Sequence, residues 1–287
     1  MKTDSQSRMR GFSMPLVLMH LGCLGVFLVP SNRICWLLFL AIYALHVFTL
    51  TAGFHRYFSH KSFKTSRLFQ FILAFLGTMA AQKDPLWWAS HHRLHHEHAD
   101  QELDPHSPRH KGFWWAHIGW VMQRNLDDTR FDKIKDFSRF PELMWLNRHP
   151  FFPALLFAGL LVLFGTLAQR YFPQWNVTGL QLLVYGFFLS TVAVYHVTFS
   201  INSVAHRFGK RRYEVEDDSV NNWLLALLTN GEGWHNNHHR YSVCTRQGFK
   251  WWQIDMSYLI LRLLQWCGIV WEIREPPRSI VEESKAA

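Results

Sequence analysis

The chain has 287 residues, of which 49% are hydrophobic and 16% aromatic, with 14 Trp, 24 Phe and a formal net charge of +9. Length alone allows one or two soluble domains, but the apolar residues collect in long runs that a soluble fold does not use. The basic balance is weak grounds for nucleic acid, because no Lys/Arg-rich arm or nucleic-acid motif accompanies it.

In chain order, Lys2, Arg8 and Arg10 precede an apolar run and imitate a signal peptide. The run is long for an h-region and no small-residue cleavage pattern follows, so residues 11–30 are read as a first membrane span. Residues 34–54, 150–170 and 179–201 give three more. Each is about 20 residues, enough at about 1.5 Å per residue to cross a hydrocarbon core of about 30 Å. Leu68 to Ala81 is shorter, and is expected to be interfacial or buried. Parity agrees: histidine clusters lie on both sides of that run and could not share a site if it crossed the bilayer. The prediction is an all-α integral membrane protein of one domain. Its four spans would carry a cytosolic helical cap built from residues 55–149 and 202–273, holding a histidine-rich dimetal site. Between the paired spans only Arg33 and Arg170 are basic, and the other 28 of 30 Lys and Arg fall on the histidine side, which the positive-inside rule makes cytoplasmic together with both termini.

Further signals are local. Cys23, Cys35, Cys244 and Cys267 show no paired spacing and suggest neither a disulfide framework nor a zinc ribbon. Asn176-Val-Thr matches a glycosylation sequon in a loop too close to the bilayer to be a good acceptor. Trp251 to Trp271 reads as an amphipathic helix lying on the membrane or the cap. The Trp pairs at 87–88, 114–115 and 251–252 suit the membrane interface or ordinary aromatic packing. The tail from Arg274 is expected to be poorly ordered.

The chemistry lies in the histidines, 18 in all. Neutral imidazole ligates iron, copper, zinc or nickel. In HHRLHH, His92, His95 and His96 stand at i, i+3 and i+4, and so share one helical face; His235, His238 and His239 in HNNHH repeat the spacing. His55 and His60 are five apart, about 140° around an α-helix, so they either bracket a helix break or serve different metals. Asn202 and His206 share a face just past the fourth span. There are more imidazoles than one octahedral ion uses, which points to two metals. A site beside apolar chains suits an ion that activates dioxygen, iron or copper.

The segments HRYFSH, DPLWWASHHRLHH, GFWWAHIGW, NSVAHRFG and GEGWHNNHH resemble the motifs of membrane fatty-acyl desaturases of the Δ9, acyl-CoA desaturase-like family, GEGWHNNHH its bacterial branch in particular. The resemblance runs from the second predicted span to Trp252. It implies a four-span fold and a di-iron centre that uses dioxygen and two electrons to place a cis double bond in a saturated acyl chain. It implies His55, His60, His92, His95, His96, His206, His235, His238 and His239 as ligands, with Asn202 reaching one iron through water. The division between the irons stays open, and no catalytic residue is implied beyond the ligands. Asp84, Asp104, Asp217, Asp218 and Glu232 are candidates to orient the rings, or else loop acids and helix caps. His91, His98, His106, His110, His117, His149, His20, His46 and His196 are read as bystanders.

An acyl chain would leave the metals through an apolar tunnel. The face of the second span toward the metals carries Thr51, Val47, Ala44 and Tyr43, and nine carbons reach roughly 11 Å, or about seven to eight helical residues, to Val47 and Tyr43. These two are the candidate substrate-binding residues; otherwise they face lipid or pack helices. The substrate is expected to be a fatty acyl-CoA or acyl-lipid, and the electron donor a separate ferredoxin, rubredoxin or cytochrome b5 type protein. Arg207, Lys210, Arg211, Arg212, Arg240, Arg246 and Lys250 could meet that donor, a CoA phosphate or anionic lipid. The alternatives are a di-iron lipid hydroxylase or other oxidase on the same scaffold, and a metal transporter. The transporter would want polar span linings that this chain lacks. The expected location is the bacterial inner membrane.

Overall fold

The computed structural model describes residues 13–123 and 126–283. Helix α1 (Ser13–Cys23) continues as a 3-10 turn over Leu24–Phe27. The predicted start of the first span at Gly11 lies outside the described residues, as do Lys2, Arg8 and Arg10. Asn32 then caps α2 (Arg33–Ser59), accepting from Cys35 N at 3.0 Å. Its amide donates to the carbonyls of Trp175 and Asn176, so the two short inter-helix loops touch at one end of the bundle.

Helix α2 runs over Arg33–Ser59, beyond the predicted 34–54, and its last 11 residues, Thr49–Ser59, are π-helical. It is 27 residues long, and the helices over Phe152–Tyr171 and Gly179–Ser203 are 20 and 25; these three are long and apolar enough to cross a membrane. Helix α3 (Arg67–Met79) has 13 residues, about 20 Å of rise, which is too short to span. It lies tightly on α2, since a Cβ on Gly77 would come 2.4 Å from the Phe54 ring.

Helix α4 (Pro85–Glu97) carries the second histidine cluster. Short helices α5 (Pro108–Lys111), α6 (Lys135–Ser138) and α7 (Pro141–Arg148) lead to α8 (Phe152–Tyr171) and α9 (Gly179–Ser203). Then come α10 (Trp223–Leu228), α11 (His235–Arg240), α12 (Met256–Trp266) and α13 (Arg278–Glu282). The all-α expectation needs one amendment, a two-residue antiparallel pair of β1 (Lys64–Thr65) and β2 (Val270–Trp271). One apolar core packs α2, α3, α7 and the end of α9, through residues such as Phe54, Leu73, Leu143 and Val194. A second packs α1, α2, α8 and α9, through Leu16, Ile42, Leu161 and Tyr185. Leu18, Leu37, Leu155 and Phe164 on the outer faces stay exposed, as helices meeting lipid require.

Two expectations at the C-terminal end change. The helix within 251–271 is confined to Met256–Trp266, because buried Asp255 caps it through Tyr258 N, and exposed Trp251 and Trp252 lie in the turn before it. Residues 274–283 are tied down by Arg274 N to Ser62 O, by the Arg240–Glu283 ion pair at 2.6 Å, and by Ile280 and Val281 packed near Tyr213.

Candidate metal centre

The fold brings nine histidines from four places into two groups. In one, His55, His60, His92, His96 and His238 converge; in the other, His95, His206, His235 and His239, with one ring nitrogen of each within 4.8 Å of the rest. Helix α4 gives its i, i+4 pair His92 and His96 to the first group and His95 to the second. Helix α11 does the reverse, with His235 and His239 in the second group and His238 in the first. The two helices therefore interleave, and each triplet serves both groups.

His55 and His60 join the same group, which settles the spacing left open above. The π-helical turn replaces i→i+4 bonding by i→i+5, seen at His60 N to His55 O, 3.2 Å. Residues five apart then lie nearly one above the other instead of about 140° apart. Arg93 anchors α4 against this turn, donating to the carbonyls of Phe58 and Ser59 and pairing with Asp136.

Within the groups the Nε2 atoms face one another: His60 to His92, His55 to His238 and His238 to His96 at 3.0 Å, His206 to His235 at 3.0 Å and His235 to His239 at 3.1 Å. Metal–nitrogen bonds of about 2.1 Å put neighbouring ligands of an octahedron about 3.0 Å apart. Four Nδ1 atoms meet carboxylates: His55 with Glu232 at 2.5 Å, His95 with Asp104 at 2.9 Å, and His206 with Asp100 and His239 with Asp217, both at 2.7 Å. A neutral ring donating from Nδ1 has a bare Nε2, so each carboxylate aims a lone pair inward. His235 and His238 receive such lone pairs, and their own buried Nδ1 atoms have no hydrogen-bond partner. Facing lone pairs do not satisfy each other, whereas a cation in each group would satisfy them all. The donor set therefore fits a pair of metal ions.

Burial and the carboxylates act on these rings in opposite directions. Burial, helped by repulsion among the rings, pushes His60, His92, His96, His235 and His238 well below the usual imidazole value, and His239 to about 4. For His95 burial is outweighed by Asp104, and its value rises. Burial would raise Asp100, Asp104 and Asp217, but their histidine partners hold them well below the carboxylate range; Glu232 is held at about 2 by His55 and Arg56.

Of the carboxylates expected to orient rings, Asp104, Asp217 and Glu232 do. Asp84 instead caps α4 through Leu86 N and Trp87 N, and Asp218 pairs with Arg109 at the surface. Asp100 was missed, having no motif spacing; it sits at positive φ in the turn after α4, where only the fold brings it to His206. Asn236 and Asn237 within HNNHH are structural. Asn236 accepts from Arg212 N and Tyr213 N, and Asn237 donates to Gln247 O and Gln253 Oε1. Among the bystanders, His106 proves to be buried, with Nδ1 3.4 Å from Asp104 and its ring 4.4 Å from that of His95. His20, His196 and His117 form their own chain to Ser203, with links of 3.0, 3.1 and 3.0 Å.

A largely apolar cavity reaches both groups. Its walls include Leu50 and Thr51 of α2, Trp87 and Trp88 of α4, Trp120, and Phe199 and Asn202 at the end of α9, with His92, His95 and His235 also exposed to it. Trp88 stacks on His92, so the Trp pair at 87–88 belongs to cap packing. Val47 is fully buried in the core one turn beyond Leu50, and the Tyr43 hydroxyl donates to Leu228 O at 2.8 Å; neither lines the cavity.

Residues 32–264 match the family model described as Fatty acid desaturase. The chain is 37% identical over 262 residues to the Acyl-CoA C20 Delta5-desaturase of Anemone leveillei, covering 90% of this chain and 79% of that protein. It is 36% identical over 263 residues to the sn-1 stearoyl-lipid 9-desaturase of Anabaena variabilis, covering 89% and 90%. To the sn-2 palmitoyl-lipid 9-desaturase of Nostoc sp. (strain 36) it is 36% identical over 230 residues, covering 78% and 76%. The chain belongs to the fatty acid desaturase family and is, by that membership, an oxidoreductase.

Proposed function

We propose that this chain places a cis double bond in a saturated fatty acyl chain, at Δ9, on an acyl-lipid or acyl-CoA. The observation that carries the reading is the pair of inward-facing Nε2 groups on the wall of an apolar cavity. Its relatives include enzymes named for acyl-lipid 9-desaturation and for acyl-CoA 5-desaturation. In balance, the saturated chain, dioxygen, two electrons and two protons give the unsaturated chain and two waters.

The nine histidines would hold two irons, with Asn202 reaching one of them through water. The irons would supply reductive activation of dioxygen. The chain's own residues do the rest. The carboxylates Glu232, Asp100, Asp104 and Asp217 fix ring tautomer and orientation. The Trp and Phe walls exclude water and hold one pair of methylenes against the site, so selectivity comes from positioning. In the same reading the chain is one domain. Residues Met14–Phe27 complete a fourth span, and the centre and both termini face the cytoplasm of a bacterial inner membrane. The methyl end of the substrate runs along α2 past Thr51 toward Val47 and Tyr43.

The test is expression in a host lacking unsaturated acyl synthesis, with fatty-acid profiling and metal analysis, beside His238→Ala. The expected result is new unsaturated acyl chains and about two irons per chain for the unaltered protein, from the two-ion donor set, and neither for the variant. An unchanged lipid profile with normal membrane expression and a supplied donor would overturn the reading.

A further inference from the structure

We infer that a surface cleft over His206 is the docking site of a separate acidic one-electron carrier, which delivers the two electrons of the reaction. The inference rests on the proposed function. Reduction of dioxygen to two waters takes four electrons; the two broken C–H bonds supply two, and the carrier supplies the others one at a time.

The cleft is lined by Pro108, Arg109, Arg207, Arg211, Asp218 and Val220, and His206 forms its floor. His206 belongs to the four-histidine group but does not line the acyl cavity, whereas its partners His95 and His235 do. The centre is thus approached from two sides, and the side carrying His206 stays free when an acyl chain fills the other. A short bonded path joins the rim to the ring. Arg109 holds the Asp218 carboxylate at 2.5 Å, Asp218 N donates to Asp100 Oδ2 at 2.9 Å, and the same oxygen meets His206 Nδ1 at 2.7 Å.

The rim selects its partner by charge. Three guanidinium groups stand against the single carboxylate of Asp218. Of these Arg207 is exposed, as is Lys210 nearby, whereas Arg211 is half-buried and donates to the carbonyls of Val215 and Asp217. Such a surface steers an acidic protein and orients it, with an effect on association that falls as salt rises.

The test uses the full chain in nanodiscs with an acidic [2Fe–2S] ferredoxin and its reductase as the probe, and compares this drive with chemical reduction by dithionite. For Arg207→Glu the ratio of ferredoxin-driven to dithionite-driven product is expected to fall about tenfold, with the loss in KM for ferredoxin, as charge reversal in a steering field does. Arg207→Ala and Arg109→Gln should show smaller falls in the same ratio, and each variant is first checked for full iron content. Raising salt should lower the ferredoxin-driven rate of the unaltered protein toward that of the variant. A ratio and salt response identical to those of the unaltered protein would overturn the docking site. So would a changed KM for the acyl substrate alone, which would make the cleft a headgroup site. Failure of the unaltered protein to form product when the dithionite-reduced protein, freed of excess dithionite, is mixed with dioxygen would instead strike the desaturase reading itself.

Discussion

One carboxylate oxygen of Glu232 accepts the Nδ1–H of His55 at 2.5 Å, while the other holds buried Arg56 at 2.9 Å. Arg56 in turn pairs with Asp255 at 2.9 Å and donates to Thr245 O. Three charges and the His55 ring are thus locked together with almost no solvent. Glu232→Gln keeps the shape but loses the charge, leaving His55 and Arg56 competing for one carbonyl oxygen. Orienting carboxylates of this kind contribute about 10–100-fold to metal affinity or activity. We expect a loss in that range, measured as iron retained against graded chelator concentrations. Retention equal to that of the unaltered protein would show that Glu232 serves Arg56 alone.

Gly231 makes this network possible. Its φ is +123°, and a Cβ there would lie 2.4 Å from Asp255 Oδ1 and 3.0 Å from Arg56 Nη2. Gly231→Ala therefore strains the backbone, by about 1–3 kcal/mol for such φ values, and pushes the ion pair apart. The expected outcome is a lower unfolding temperature in detergent together with iron loss. Gly159→Ala in α8, where nothing lies within 4 Å of the added Cβ, is the control and should leave both unchanged or slightly improved.

Two acids of similar burial should part company. Asp104 serves His95, whereas Asp84 caps α4. Removing Asp104 (Asp104→Ala) is expected to release iron from the four-histidine group. Asp84→Ala should cost about 1 kcal/mol of helix stability, as lost N-caps do, while iron content at low temperature holds. Equal iron loss in both would mean that α4 cannot hold its histidines without its cap.

Much of this site is legible in the sequence. The i, i+3, i+4 triplets project from one face because α4 and α11 are ordinary α-helix, and the sequence pattern reports that directly. His55 and His60 were ambiguous because a π-helical turn leaves no mark in hydrophobic periodicity. The split of each triplet between two groups was hidden as well, since it depends on how α4 and α11 cross. Asp100 and the Arg56–Asp255 pair were invisible for a similar reason. They are long-range contacts, Asp100 being 106 residues from His206 and Arg56 199 residues from Asp255. The docking of 274–283 leaves no mark in the sequence, because composition alone makes it polar, whereas Arg240 and the Tyr213 cluster give it something to bind.

The last prediction concerns chain length. On α2 the cavity wall stops at Leu50 and Thr51, and Val47 fills the core one turn further on. A substrate longer than the cavity must therefore displace or pass Val47, with the Tyr43 hydroxyl, pinned to Leu228 O, beyond it. Val47→Ala removes two methyl groups at a fully buried position and should extend the space by about one helical turn, roughly 5 Å or about four carbons. Val47→Phe should close it, at a cost of about 1–3 kcal/mol from overpacking. The measurement is the distribution of product chain lengths in a host supplied with acyl chains of graded length. A shift toward longer products for Ala and shorter ones for Phe supports the α2 route. Identical profiles in two folded, iron-loaded variants would place the methyl end elsewhere in the same cavity, whose lining also includes Trp120 and Phe199.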